Sequence, residues 1–202
     1  MPVLVVGGHS RNVGKTSVVA GLISSLPEFR WTAVKITQYG HGICSANGEA
    51  CDCATADHAW AVSEERNRNG ESDTSRFLVA GAEKAWWVRT EQGRLAEAMA
   101  RVRQILSGTQ NVIIESNSVL RFLTPDLYLT VLDPQNADFK TSAQIFLDRA
   151  HAVLLHSSEG SRSPAWERVS LKPVAGRPVF AVQPPQYVTP EVVEFVRKCL
   201  AP

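Results

Sequence analysis

The sequence has no long apolar run and no excess of charge of one sign. No stretch approaches the roughly eighteen apolar residues that a membrane-spanning helix requires. The 21 basic and 20 acidic residues give a formal net charge of +1, which argues against broad electrostatic attraction to nucleic acid or to a membrane. No basic segment precedes the first apolar run, so we expect no signal peptide and a cytoplasmic protein.

Cysteine is also scarce, with 4 in 202 residues. In a cytoplasmic protein these side chains are expected to be thiols or metal ligands rather than disulfides. The sequence shows no internal repeat, no low-complexity tail and no change of composition that would mark a domain boundary. We therefore predict one domain over residues 1–202, with a long functional loop at about 37–71.

Short apolar segments alternate with segments of helical periodicity along the chain. The predicted strands are Val3–Val6, Trp31–Ile36, Lys84–Arg89, Asn111–Glu115, Asp126–Leu132, Ala152–Leu155 and Pro178–Val182. The predicted helices are Lys15–Leu26, Asp73–Ala80 after the N-cap Ser72, Arg94–Leu106, Ser142–Arg149 and Pro190–Leu200, with a short helix at Ala54–Ser63 as an option. This alternation predicts a three-layer α/β fold, in which helices cover both faces of a mainly parallel sheet of about seven strands.

The first strand leads into a glycine-bounded loop that ends in Gly14-Lys15-Thr16 and opens a helix. This order is typical of a phosphate-binding P-loop, in which backbone N–H groups and the helix N-terminus face a phosphate. The loop is one residue longer than usual, because Gly8 precedes Gly14 by six positions and His9 stands where glycine is expected. Residues predicted to bind nucleotide are Gly8, Asn12, Val13, Gly14, Lys15, Thr16 and Ser17. Lys15 is also a predicted catalytic residue, and Thr16 a predicted Mg²⁺ ligand.

Further candidate residues stand where other predicted strands end, at the edge of the sheet that carries the P-loop. Glu115 ends a very apolar strand, which is typical of the acid that holds Mg²⁺ or positions the nucleophile. The alternative is a solvent-facing or capping carboxylate. Asp73 is either a second Mg²⁺ ligand or an acid favoured by the start of its helix. Lys35 either contacts phosphate or substrate, or reaches to solvent.

A second group of candidates lies in the predicted loop. Cys44, Cys51, Cys53 and His58 are candidate ligands for Zn²⁺ or an iron–sulfur cluster, with His41 nearby. Their spacing matches no strong zinc pattern, so reduced thiols and a redox pair remain alternatives. Cys199 on the last helix is expected to be buried. His9 either contacts a phosphate or fills the lengthened loop at the surface, and we assign no role to His151 or His156.

The P-loop stretch Gly8-His-Ser-Arg-Asn-Val-Gly-Lys-Thr16 resembles that of dethiobiotin synthetases and the related cobyrinic acid amidases. The rest of residues 1–120 resembles the MobB family, the P-loop proteins of molybdopterin-guanine dinucleotide biosynthesis. The similar segments are Val34-Lys35, Asp73-Thr-Ser-Arg-Phe-Leu-Val-Ala-Gly-Ala82 and Asn111-Val-Ile-Ile-Glu115. The resemblance implies a SIMIBI-class P-loop NTPase in which Thr16, Asp73 and Glu115 share Mg²⁺.

The sequence also departs from that family. MobB proteins typically have a Lys-His-Asp-like segment after the second strand, whereas here Ile36-Thr37-Gln38 follows Lys35. The cysteine loop is not expected of them, and no Asn-Lys-x-Asp guanine motif follows the sixth strand, so ATP and GTP both remain open.

The sequence therefore predicts a Mg²⁺-dependent protein that binds ATP or GTP and hydrolyses it, or uses it to activate a small acceptor, with a place in cofactor biosynthesis of the molybdopterin type as one option. The alternative is a nucleotide-switched regulatory or metal-delivery protein whose Cys/His loop engages a partner. The acceptor, a small molecule or a protein, is not identified, and a homodimer is an option.

Overall fold

The structure is a computed structural model that describes residues 1–39, 59–157, 164–167 and 169–201. The proposed metal ligands Cys44, Cys51, Cys53 and His58, together with His41, lie outside the described residues. The metal prediction for that loop therefore stays a prediction.

The described residues form one sheet of eight strands with five α-helices. The strands are β1 Val3–Gly8, β2 Trp31–Tyr39, β3 Trp60–Glu64, β4 Lys84–Glu91, β5 Asn111–Glu115, β6 Leu127–Leu132, β7 Ala152–His156 and β8 Val179–Val182. The helices are α1 Lys15–Ser25, α2 Asp73–Val79, α3 Leu95–Ser107, α4 Thr141–Ile145 and α5 Pro190–Leu200. Short 3₁₀ turns cover Pro27–Phe29, Ser118–Arg121, Leu147–Arg149 and Lys172–Val174.

The strand order is β3-β4-β2-β5-β1-β6-β7-β8, so β1 lies near the middle of the sheet. Every neighbouring pair is parallel except β3 with β4. The predicted α/β class and mainly parallel sheet are confirmed, with one strand more than the predicted seven.

The additional strand is β3, which lies inside the segment predicted as a loop or a short helix. The helix prediction is wrong for residues 60–63, because Trp60 to Glu64 pair antiparallel with Trp86 to Thr90 of β4. This pairing joins residues far apart in sequence, and local propensity does not report it. The predicted loop also begins later than expected, since β2 continues to Tyr39. The predicted Ser142–Arg149 helix divides into α4 and a 3₁₀ turn.

Cys199 on α5 is exposed, so the expectation that it is buried is wrong.

Both faces of the sheet are covered, as the continuous apolar strands predict. In β1, Leu4 and Val6 pack with α1, α2 and α5, whereas Val5 packs with α3 on the opposite face. All three side chains are fully buried. Within the described ranges, no helix is both long and apolar enough to cross a membrane. The fold therefore places the carboxyl ends of seven parallel strands, including the P-loop after β1, along one edge of the sheet.

Candidate functional site

The P-loop connects β1 to α1 and contains two residues in the left-handed region. Asn12 has φ 58° and Gly14 has φ 86°. Gly14 is the N-cap of α1 and lies against the ring of Tyr187, where an added Cβ would be 1.9 Å from a ring carbon. Val188, the next residue, packs closely on α1, because a Cβ added to Gly21 would lie 2.7 Å from its side chain. Glycine at position 14 thus satisfies both the backbone conformation and the close packing.

Asn117, just beyond β5, holds the start of the loop. Its side-chain Oδ1 accepts a hydrogen bond from the Gly8 N–H at 2.9 Å, and its Nδ2 donates to the Gly8 carbonyl at 2.8 Å. The amide therefore satisfies both backbone groups of Gly8, as a neighbouring strand would.

His9 is fully buried, so the option of a surface residue is wrong. Its ring lies 5.1 Å from each of the rings of Phe139 and Trp166. Nε2 is 3.2 Å from the Asn136 carbonyl and Nδ1 is 3.4 Å from the Asp133 N–H, which fits a neutral ring that donates through Nε2. Burial lowers the pKa of His9, and the backbone carbonyls and Asp133 oppose this only in part. His9 thus anchors the lengthened loop in an aromatic pocket.

Lys15 folds back over its own loop. Its Nζ donates to the Ser10 carbonyl at 2.5 Å. Burial is the largest cause that lowers the pKa of Lys15 to about 8, with smaller contributions from nearby Lys140 and Lys35 against the opposing effect of Glu115. An anion placed at this loop would favour the charged form of Lys15 and so be attracted to it.

The predicted residues Thr16, Lys35, Asp73 and Glu115 come together beside the P-loop. The Thr16 hydroxyl donates to Glu115 Oε2 at 2.8 Å. Lys35 Nζ lies 3.0 Å from Glu115 Oε1 and 3.4 Å from Thr16 Oγ1, and it also donates to Asp73 Oδ2. The ammonium group of Lys35 on β2 is therefore surrounded by three oxygen-bearing side chains, which come from α1, α2 and β5.

The electrostatics of this cluster favour a bound cation. The side chains of Glu115 and Lys35 are largely buried, at 6% and 16% exposed, whereas Asp73 is 40% exposed. Burial alone would lower the pKa of Lys35, but Glu115 and Asp73 outweigh it and raise that pKa. Carboxylate and hydroxyl oxygens are also the donors that Mg²⁺ prefers in proteins. The donor set therefore fits a divalent cation.

Arg76 on α2 connects this cluster to the first turn of α1. Its guanidinium lies 3.8 Å from Asp73 Oδ1 and donates to the predicted nucleotide residue Ser17 at 3.2 Å. Sequence reasoning did not assign Arg76 a role, although it stands in the segment that opens with Asp73. The Ser72 N-cap is confirmed, because its side chain accepts a hydrogen bond from the Ser75 N–H.

The other side of the P-loop contacts the ends of β6, β7 and β8. His156 Nε2 is 3.1 Å from the Val13 carbonyl, and Nδ1 is 3.7 Å from Asp133 Oδ2. The Tyr187 ring lies 5.6 Å from that of His156. No role was assigned to His156 from the sequence. Its position at the end of a parallel strand was the signal that could have identified it.

Comparisons with known proteins give structural neighbours only. No known protein-family profile matches the sequence. A search of curated proteins found no relative.

Among solved structures, LpxK from Aquifex aeolicus in complex with ATP is similar, with TM-score 0.50 and 19% identity over 90% of this chain and 53% of LpxK. The chain thus spans about half the length of LpxK. HypB from Helicobacter pylori in complex with nickel has TM-score 0.48 and 14% identity, covering 96% of this chain and 83% of HypB.

The MobB family suggested by the sequence is also among the neighbours. Bacillus subtilis MobB has TM-score 0.45 and 16% identity over 99% of this chain and 98% of MobB. At these identities the likeness concerns the fold. The likeness to LpxK, together with the strand–loop–helix geometry around Lys15, shows that the chain shares the α/β fold of that ATP-bound structure.

Proposed function

We propose that this protein binds ATP or GTP with Mg²⁺ and either hydrolyses the nucleotide or transfers its terminal phosphoryl group to a small acceptor. The observation that carries the proposal is the cluster around Lys35. There the Thr16 hydroxyl and the carboxylates of Glu115 and Asp73 meet around one cation beside the P-loop. A structural ion pair alone does not require the P-loop hydroxyl to join it.

Thr16, Glu115 and Asp73 are the residues that would hold Mg²⁺, and the ion supplies neutralisation of phosphate charge when it is bound. Lys35 is then free to leave the carboxylates and donate to phosphoryl oxygens. Because Lys35 lies on β2, two strands from β1 in the sheet, it can approach a phosphate from the side opposite to the ends of β6 and β7.

The P-loop itself provides the anion site. The N–H groups of residues 12–16, at the N-terminus of α1, form the phosphate cradle in this proposal. Lys15 adds a cation whose charged form a phosphate favours, so the loop stabilises the charge that develops as the phosphoryl group transfers. The proposed catalytic residues are Lys15 and Glu115.

The strand order supports one orientation of the bound nucleotide relative to the sheet. The carboxylates and Lys35 lie on the side of β5 and β2, so the terminal phosphate would point there. The nucleoside would then lie towards the ends of β6, β7 and β8, where His156 and Tyr187 contact the P-loop. The acceptor would approach from the side of β2 and β4.

The test uses two variants. Lys15→Ala should weaken binding of a fluorescent ATP or GTP analogue by roughly 10- to 100-fold, because a charge-assisted contact is lost. Glu115→Gln should still bind the analogue, but its rate of Mg²⁺-dependent phosphate release should fall at least about tenfold. Lys84→Ala and Glu97→Gln, at exposed positions away from the site, serve as controls. Unchanged nucleotide affinity in Lys15→Ala would overturn the proposal.

A further inference from the structure

A cavity of about 260 Å³ lies at the same sheet edge but on the opposite face from the P-loop cluster. It opens between the ends of β2 and β4, the start of α3, the turn after β5, and α4. Gln38 of β2 lines it, three residues beyond Lys35. At about 3.3 Å per residue, the cavity begins roughly 10 Å from the Lys35 cluster.

The cavity has a mixed lining of four apolar side chains, five uncharged polar side chains and one charge; the polar ones are Gln38, Gln92, Ser118, Thr141 and Ser142. Its apolar lining includes Leu95, Phe122, Ile145 and Phe146, and Ile145 is 53% exposed. Among the described residues that line it, Arg121 alone is charged. In the described part of the chain, Arg121 has no ion pair or hydrogen bond, so its guanidinium is available to a ligand.

The walls of the cavity are fixed to each other by Arg149. This side chain donates to the Leu120 carbonyl, and at 3.2 Å to the Leu123 carbonyl, both in or next to the turn that carries Arg121. Its guanidinium also lies 5.6 Å from the centre of the Phe146 ring. The backbone of the turn that carries Arg121 is therefore held beside Phe146 before a ligand arrives, which limits the entropy lost by the backbone on binding.

We propose that this cavity binds a small organic anion with an apolar body, whose carboxylate or similar group pairs with Arg121. The volume lies just below the range of about 300–1,000 Å³ that is usual for ligand pockets, so the ligand is small. That this anion is the acceptor of the phosphoryl reaction rests on the proposed function. The binding of the anion in the cavity is independent of the proposed function.

The test compares two ligands of the same shape, 2-naphthoate and its neutral counterpart 2-naphthamide, by ligand-observed NMR titration of the full chain. The wild-type protein should prefer naphthoate by roughly two- to fivefold, the range expected for one solvent-accessible ion pair. Arg121→Gln should abolish the preference and leave naphthamide binding unchanged. Arg103→Gln, an exposed arginine on α3 outside the cavity, should behave as the wild type. Ile145→Asn should weaken both ligands.

Two further measurements separate this site from the nucleotide site. Lys15→Ala should bind the nucleotide analogue more weakly and bind naphthoate with unchanged affinity. An excess of Mg²⁺ with nucleotide should not displace naphthoate from the wild-type protein. The proposal is overturned if neither ligand binds, if Arg121→Gln keeps the preference for naphthoate, or if nucleotide displaces naphthoate competitively.

Discussion

Replacing Lys35 with Met tests the cation cluster, because it removes the ammonium and retains most of the apolar stem. In the wild-type protein, Lys35 neutralises two carboxylates beside the P-loop, and one of them, Glu115, is nearly buried. The variant leaves both carboxylates without this partner. We expect it to unfold more easily than the wild type and to be rescued by Mg²⁺ in the absence of nucleotide.

The expected loss of stability in Lys35→Met follows from the distances and the exposed fractions of the side chains. At 3.0 Å, the Lys35–Glu115 attraction is about 5.5 kcal/mol at an effective dielectric constant of about 20. Removal of Lys35 also removes the cost of burying it, and the Thr16 hydroxyl still donates to Glu115. Asp73 is 40% exposed and is screened by solvent. We therefore expect a net loss of about 2–3 kcal/mol in the free energy of unfolding, below the about 3–5 kcal/mol seen for fully buried pairs.

The assay is urea denaturation with and without MgCl₂ at millimolar concentration. The matched control is Arg30→Met, which removes the cation of an exposed pair with Glu83 at 2.6 Å and should cost less than about 1 kcal/mol. Mg²⁺ should stabilise Lys35→Met more than Arg30→Met, in which Lys35 still occupies the cluster, because binding to the folded state alone raises stability. Equal losses in the two variants, or no response of Lys35→Met to Mg²⁺, would refute the reasoning.

Two other expectations concern the frame of the loop. Asn117→Leu should weaken nucleotide-analogue binding by roughly tenfold and lower the free energy of unfolding by about 1–3 kcal/mol, because both backbone groups of Gly8 lose their partner; wild-type affinity in this variant would contradict the role of Asn117. His9→Gln should reduce the loss of stability on acidification. Because burial lowers the pKa of His9 from 6.5, the unfolded state binds more protons than the folded state below pH 6.5, and stability falls as the pH falls. Urea denaturation at pH 7.5, 6.5 and 5.5 should show a shallower fall in the variant, by at most about 1.4 kcal/mol per pH unit, and identical slopes would disprove the assignment.

Much of the fold could be predicted because its signals are local. The apolar run Asn111–Glu115 and the Pro-initiated helix Pro190–Leu200 agree with β5 and α5 residue for residue. The strand β3 could not be read in the same way. Its residues have no clear alternation, and its partner β4 lies about 25 residues further along the chain.

The same distinction between local and long-range signals applies to the candidate site. Lys35 and Glu115 were predicted because residues at the carboxyl ends of parallel strands meet at one edge, Thr16 from the P-loop motif, and Asp73 from its helix start and the resemblance to MobB proteins. The structure brings the four together. Asn117 was assigned no role from the sequence, because its partner is the backbone of Gly8 and no side-chain pattern reports such a contact.

His9 shows the same limit. Its aromatic neighbours Phe139 and Trp166 come from segments that no local pattern connects to the P-loop. A residue type that is common in phosphate sites therefore has a packing role that only the tertiary structure shows.

The close packing of Tyr187 on Gly14, and of Val188 on Gly21, joins the phosphate loop and its helix to a segment more than 160 residues further along the chain. During synthesis the P-loop motif leaves the ribosome before residues 187 and 188, yet it cannot take its final packing until they have followed. A chain that stops before this segment would retain the entire P-loop motif and still lack the surface against which the loop is packed. The capacity to bind nucleotide is thus expected to appear late in synthesis, as a property of the whole chain rather than of the motif.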